Sequence, residues 1–275
     1  MLEEAKLQRM PKEQPLTRKI ALVTGAGGGI GKSIAKKLVT EGAVAVLLDI
    51  SETNLDNALK DFSADQATAV VCDINNPEAI KQAIQKACLT FGGIDIVVHS
   101  AGLAISKPIE DTTTQDWDIL QNVLVKGQFE LFKQATAILR TQKMGGNFIT
   151  IASKNGLVAG PNNVAYGTAK AAQQHMTRLL AAELAPDKIR VNTVNPDGVL
   201  VGSKIWEGDW AKGRAEANGI TVEELPAFYA KRNLLHQIIT PDDIAQGVFC
   251  LVALLDKSTG NTLNVDGGMA NAFVR

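Results

Sequence analysis

A short apolar run, a glycine-rich turn and a helical pattern stand end to end near the start of this chain, and they constrain its fold more than any other feature. Residues 19–24 (Lys-Ile-Ala-Leu-Val-Thr) have the β-branched, apolar character of a buried strand. Gly25-Ala26-Gly27-Gly28-Gly29-Ile30-Gly31 follows at once, and Ile30, Ile34, Ala35 and Leu38 then repeat at helical spacing. Glycines let the backbone turn tightly and approach a pyrophosphate, while the helix N-terminus offers free N–H groups and positive potential. Further apolar runs lie at 43–49, 67–72, 94–98, 147–152, 188–195 and 260–265. Helical patterns separate most of them, at 77–91, 114–142, after Tyr166, and from Pro241 to about Leu255. Alternation of this kind predicts an α/β chain with a doubly wound, seven-stranded parallel sheet.

With 275 residues, 45% of them hydrophobic and 21% charged, the chain can bury one large α/β core. A net charge of −1 gives no reason to expect a nucleic-acid or membrane surface. No apolar run reaches membrane-spanning length, and no signal-peptide pattern opens the chain. Cys72, Cys88 and Cys250 are odd in number, far apart and set in apolar periodic segments, so they read as buried thiols of a reducing compartment, the cytoplasm. No metal site is expected. Residues 1–18 read as a linker or tail, with a short helix from Leu2 to Arg9, and as adding nothing to the core.

The second strand ends in Asp49, where a carboxylate can accept hydrogen bonds from the adenosine ribose and would repel a 2′-phosphate; this favours NAD over NADP. The alternative is a turn or helix-cap role, for which Ser51 competes. The third strand leads to Asp73 and Ile74. Asn75 or Asn76 is the expected cap of the helix at Pro77. Ser153 falls just past the fifth strand, at the sheet edge where ligands bind in such folds. Thirteen residues on, Tyr166 and Lys170 stand four apart at the start of a helix, on one face. A lysine charge beside a phenol should lower the tyrosine pKa, giving a proton-transfer pair, with Ser153 holding the substrate oxygen. Tyr-x-x-x-Lys alone is equally the pattern of two surface residues, and its neighbours carry the catalytic reading. Residues 200–238 are irregular, with one expected helix start at the Thr221-Val-Glu-Glu224 capping box. They read as a substrate lid or as a structural surface excursion. Asn155, Lys204, Trp206 and Arg214 are the candidate substrate residues; Lys204 and Arg214 are equally readable as solvated charges. His175 and His236 read as surface histidines.

Over residues 19–275 these pieces together resemble the short-chain dehydrogenase/reductase family, a single-domain Rossmann fold. The motifs are Thr24-Gly25-x-x-x-Gly29-x-Gly31, Asp49, Asp73, the Ser153/Tyr166/Lys170 spacing, Arg190-Val191-Asn192, Asn195-Pro196 and Val265-Asp266-Gly267-Gly268. The resemblance implies that Gly25, Gly29, Ile30 and Gly31 line the NAD pyrophosphate, that Asp49 takes the ribose and Asp73 the adenine edge, and that Ile74, Ala101, Gly102, Pro196 and Val199 border the cofactor. It implies Tyr166 as acid/base, Lys170 on the nicotinamide ribose and Ser153 on the substrate oxygen. It also implies a homodimer or homotetramer built on helix 114–142 and the helix after Tyr166.

Three positions depart from the family pattern. His99-Ser100-Ala101-Gly102 stands where Asn-Asn-Ala-Gly is usual, so the strand ties made by asparagine must come from elsewhere. Leu124 stands where the family has a catalytic-helix asparagine, and Asn122 points to another face. Pro196-Asp197-Gly198 replaces Pro-Gly. A narrower resemblance, carried by residues 2–11, Ser153-Lys154-Asn155, residues 195–206 and Ala272-Phe-Val-Arg275, is to the dehydrogenase part of bifunctional rhamnulose-1-phosphate aldolase/alcohol dehydrogenases. It implies an inter-domain linker at 1–18, fusion to an aldolase domain, and a small hydroxy-aldehyde substrate such as lactaldehyde, oxidised to lactate. The competing reading is a non-catalytic NAD-binding module.

Overall fold

The computed structural model describes residues 13–200 and 209–272, with the side chains of Asp209, Trp210, Gly213, Arg214 and Ala217 outside that description. Seven parallel strands form one sheet in the order β3-β2-β1-β4-β5-β6-β7. They are β1 Ile20–Thr24, β2 Val44–Asp49, β3 Ala67–Val71, β4 Ile96–His99, β5 Gly146–Ile151, β6 Ile189–Pro196 and β7 Thr262–Val265. The strand order reverses between β1 and β4, which opens a crevice at their C-terminal ends.

Both faces of the sheet are covered, as near-continuous apolar strands require. Alternate residues of β1 serve opposite sides. Ala21 and Val23 join a cluster with Ile34, Ala35 and Leu38 of α1 (Gly29–Thr40), Leu55 of α2 (Glu52–Leu59), and Ile244 and Val248 of α9 (Pro241–Phe249). Leu22 joins the other cluster, with Ile80 and Ile84 of α3 (Pro77–Phe91) and Leu131 and Phe132 of α5 (Gly127–Gln142). There Phe132 stacks on Phe148 of β5 at 4.5 Å between ring centroids, nearly parallel. Each of these buried valine, leucine, isoleucine and phenylalanine side chains contributes about 1.5–3 kcal/mol relative to exposure.

Local signals set the helix ends. Asn76 caps α3 by accepting from the N–H groups of Glu78 and Ala79. Ser51 caps α2, so Asp49 is not the cap residue. Thr240 and Asp243 form a reciprocal capping box at α9. The family-type Arg190 bonds the carbonyls of Val252, Leu255 and Ser258, tying β6 to the end of that helix.

Four expectations need correction. Residues 13–18 are not idle, since Leu16 is 3% exposed, belongs to the core, and bonds through its N–H to Glu41. The helix from Leu2 to Arg9 lies outside the described residues. The helix expected over 114–142 is α4 (Thr114–Leu120) and α5 separated by a π-helical segment, Gln121–Lys126, that carries Leu124. Such a segment inserts a residue into the helical ladder, which periodicity alone does not reveal. Thr221 begins a turn rather than a helix: its N–H donates to Glu224, and α8 (Leu225–Ala230) starts only afterwards, with a proline in its first turn. Residues 209–230 are thus two helices, α7 (Asp209–Asn218) and α8, which share a small core of Leu200, Ala211, Ala215 and Leu225. Finally, of the cysteines only Cys72 is fully buried; Cys88 and Cys250 are half-buried. Among the described residues no helix is long and apolar enough to cross a membrane.

Candidate active site

The glycine turn closes against its neighbours as only glycine permits. Gly25 has φ +66°, and a Cβ there would stand 2.9 Å from Cα of Ala101 at the end of β4. A Cβ on Gly31 would meet the Gly25 carbonyl oxygen at 2.3 Å. Asp49, at the end of β2, turns one carboxylate oxygen to the Gly27 N–H (3.0 Å) and the other to the Ser51 N–H (3.0 Å). The first turn of α1 carries no acidic side chain, and its N-cap Gly28 provides no side-chain cap. Its open N–H groups therefore suit a pyrophosphate, so the cradle fits a dinucleotide cofactor. Asp73 lies half-buried beyond β3, with one oxygen on the Asn75 N–H. Ile74 is buried, and its side chain lies against Gly127.

Thr24 supplies the strand tie that the altered Asn-Asn motif lacks: its hydroxyl accepts from the N–H groups of Ser100 and Ala101, 3.0 Å each. His99 faces the same hydroxyl through Nδ1 at 3.5 Å and is fully buried. Burial, with the Lys170 charge behind it, pushes its pKa down to about 3, so the imidazole is neutral.

A cavity of about 320 Å³ opens at the C-terminal edge of the sheet. Ile30, Gly102, Ser153, Asn155, Tyr166, Lys170, Pro196 and Val199 all line it. Ser153 follows β5; its hydroxyl accepts from the Asn155 N–H at 3.2 Å and bonds the Tyr166 phenol. Tyr166 and Lys170 project from α6 (Val164–Leu184), and Lys170 Nζ lies 5.7 Å from the Tyr166 ring centre while donating to the Ile151 carbonyl at 3.1 Å. Lys170 is 5% exposed.

The electrostatics reverse one expectation. Burial is the main influence on Tyr166 and pushes its pKa up to about 12, against the Ser153 hydrogen bond and with help from the Asp197 charge. Burial pushes Lys170 down to about 7. Tyr166 is therefore a neutral phenol near neutral pH, the acid form of a proton-transfer pair; desolvation dominates, and the lowering expected from Lys170 is not among the influences on it. Cys72 is pushed up to about 11 by burial, and no cysteine lines the cavity.

Leu124 is fully buried among Leu120, Ala165 and Ala169, beside Gly102, so no polar side chain stands there. Its carbonyl accepts from Gln173 Nε2 at 2.8 Å. Asn122 is exposed.

Sequence reasoning passed over several residues. Lys154 and Asp197 line the cavity as a pair, with Tyr229 and Arg232 from the excursion. Gln174 is buried and holds the Ser153 carbonyl (2.8 Å) and the Asn195 side chain (3.0 Å), fixing the turn after β5 to β6. The sequence signal for Lys154 and Asp197 was their adjacency to Ser153 and Pro196. Of the substrate candidates, Asn155 reaches the cavity, Lys204 and Trp206 lie outside the described residues, and Arg214 sits on α7 with its side chain outside the description. His175 and His236 are exposed, as expected.

Comparison with known proteins places these features in context. A family model described as short chain dehydrogenase matches residues 19–210. The chain is 39% identical over 282 aligned residues to Uncharacterized oxidoreductase YuxG of Bacillus subtilis (strain 168), a match that takes in all of this chain but 40% of that relative's length. An uncharacterized oxidoreductase of Staphylococcus aureus (strain MW2) is 38% identical over 181 residues, 66% of this chain and 78% of the relative. A crystal structure of a short-chain type dehydrogenase/reductase from Mycobacterium marinum superposes with a TM-score of 0.80 at 27% identity, covering 93% of this chain and 96% of that one.

Proposed function

This chain belongs to the short-chain dehydrogenase family, and from that premise we propose that it is an NAD-dependent oxidoreductase acting on a small hydroxy-aldehyde or sugar-type alcohol, with Tyr166 as acid/base. The observation that carries the reading is the meeting of Ser153, Tyr166 and Lys170 in one cavity that opens beside Ile30 of the glycine turn. A bound nicotinamide supplies the hydride acceptor or donor. Gly25, Gly29, Ile30 and Gly31 would hold its pyrophosphate, and Asp49 the adenosine ribose. The Asp49 carboxylate, already turned to the glycine turn, disfavours a 2′-phosphate there, which supports NAD over NADP. Asp73 would face the adenine; Ile74, Ala101, Gly102, Pro196 and Val199 would border the cofactor; Lys170 would bind the nicotinamide ribose.

Ser153 orients the substrate oxygen, and Tyr166 gives it a proton on reduction or takes one on oxidation. Because the phenol is held neutral, oxidation requires its deprotonation. The sign follows: the oxidative rate should rise as pH climbs through the alkaline range toward about 12, while reduction should be favoured at lower pH. An aldehyde would be oxidised as its hydrate, a gem-diol, whose hydroxyl proton passes to Tyr166. The thioester route needs a cysteine thiolate in the cavity, and no cysteine lines it.

The narrower assignment is lactaldehyde oxidised to lactate, within a cytoplasmic protein fused to an aldolase domain, residues 200–238 being the lid. The greater length of the Bacillus subtilis relative is compatible with such a fusion. Half-exposed Trp117, Phe129 and Leu179 on α4, α5 and α6 support a homodimer or homotetramer. Incubating the protein with NAD or NADP and a panel of lactaldehyde, 1,2-propanediol and small polyols tests the reading. Reduced nicotinamide should form with NAD, and lactate should be the product from lactaldehyde. Turnover with NADP alone would discard the Asp49 argument.

A further inference from the structure

The cavity contains a charged pair that the acid/base chemistry does not use. Lys154 follows Ser153 in a short 3-10 turn and is 7% exposed. Its Nζ lies 3.4 Å from a carboxylate oxygen of Asp197, which follows Pro196 at the end of β6. Both line the cavity with Tyr166. Gly198, at φ +62°, turns the chain after Asp197 under the Tyr229 ring, 3.0 Å from where a Cβ would stand. Among the described residues, Asp197 is the ion-pair partner of Lys154.

At 3.4 Å the two groups share one hydrogen bond, longer than the ~2.7–2.9 Å of a close charge-assisted one. An ammonium has three donors and a carboxylate about four acceptor sites. With one bond between them, the pair keeps both kinds of capacity among the described residues, in a buried place where attraction alone does not offset desolvation. Burial shows on both members: it lowers the Lys154 pKa and raises that of Asp197. A hydroxyl group, at once donor and acceptor, is the ligand that satisfies both. An anion fits less well. Arg232 and Asp266 also act on the pair, and the four groups balance as two cations and two carboxylates.

We infer that Lys154 and Asp197 form a hydroxyl-reading subsite that selects substrates carrying a second hydroxyl close to the reacting carbon, namely vicinal diols and 2-hydroxy-aldehydes over monohydroxy alcohols and plain aldehydes. This rests on the acid/base reading of Tyr166. The subsite lies within reach of that centre: Lys154 is next to Ser153 in the chain, and the Asp197 charge is felt at the phenol.

The test compares kcat/KM for 1,2-propanediol against 2-propanol, and for lactaldehyde against propanal, with NAD. A site built to bond a hydroxyl should favour the hydroxylated member of each pair on the order of 100-fold or more. Asp197→Asn should reduce that ratio about tenfold or more. The double variant Lys154→Met/Asp197→Leu, which removes both charges and leaves neither unpaired, should abolish it. An unchanged ratio in the folded double variant overturns the inference. So does a wild-type preference for lactate over neutral 1,2-propanediol that Lys154→Met removes, since that marks an anion site. Calorimetric titration of the NADH-loaded protein with 1,2-propanediol and with 2-propanol reads the same subsite without turnover. Diol binding that the double variant loses supports the subsite even where the oxidoreductase reading fails; diol binding no tighter than 2-propanol binding overturns the subsite alone.

Discussion

The two halves of the catalytic edge are built by different means. Beyond β1 and β2 the edge is made largely of backbone: a glycine turn folded against the end of β4, open N–H groups at the start of α1, and the Asp49 carboxylate. Beyond β5 and β6 it is made of side chains. Ser153, Lys154, Tyr166, Lys170 and Asp197 come from two loops and a helix, and Tyr229 and Arg232 from the excursion. A backbone surface recognises what all dinucleotides share and tolerates little change. A side-chain surface can be altered residue by residue, so it is where chemistry and selectivity are set.

Parallel glycine substitutions break or sharpen this contrast most strongly. Gly31→Ala puts a methyl group 2.3 Å from the Gly25 carbonyl, so the turn must move; NAD-dependent turnover should fall on the order of 100-fold, with NAD affinity falling alongside. Gly219→Ala, in the excursion, meets nothing within 4 Å among the described residues, although its φ of +64° suits glycine. It should cost about 1 kcal/mol by chemical denaturation and leave NAD affinity alone. Equal losses of NAD affinity in the two variants would contradict the division.

Leu124→Asn restores a family-type residue at the boundary between the halves. It also puts an amide into the apolar cluster of Leu120, Ala165 and Ala169. A loss of about 2–4 kcal/mol is expected on denaturant unfolding; a neutral result would show that the π-helical segment can repack around the amide.

His99 makes a pH test. Its folded pKa of about 3 lies below the ordinary 6.5, so between those values the unfolded chain binds the extra proton. Stability should therefore fall as pH drops below about 6.5, by about 2 kcal/mol at pH 5 from this group alone. The groups facing it are the Thr24 hydroxyl, the Leu124 carbonyl and the Lys170 ammonium. His99→Asn should flatten the acid limb of Tm against pH; an unchanged limb would remove His99 from the account. An effect as small as that of Gly219→Ala belongs to the scaffold: Thr240→Ala, losing the capping box of α9, should cost about 1 kcal/mol with no change in NAD binding.

The same contrast explains what could be read from the sequence. All seven strands, the glycine turn, Asp49 and the Ser153/Tyr166/Lys170 set were legible because each rests on local periodicity or fixed spacing. The side-chain half was less so. Lys154 and Asp197 are 43 positions apart in sequence, and only the pairing of β5 with β6 brings their loops together. The raised pKa of Tyr166 depends on burial, which a helix-face argument does not supply. Leu16 looked idle because a core contact made by one residue has no period. The π-helical segment was missed because an inserted residue leaves the apolar pattern nearly intact.

The most direct test of the central claim is Tyr166→Phe, measured for NADH formation from 1,2-propanediol and lactaldehyde, with NAD affinity determined in parallel. Turnover lost with NAD affinity kept is the expected result, because the proposed function gives the proton transfer to the phenol hydroxyl and the cofactor to the glycine edge. Turnover kept in that variant would contradict the assignment of Tyr166, and with it the account of this cavity as an oxidoreductase centre.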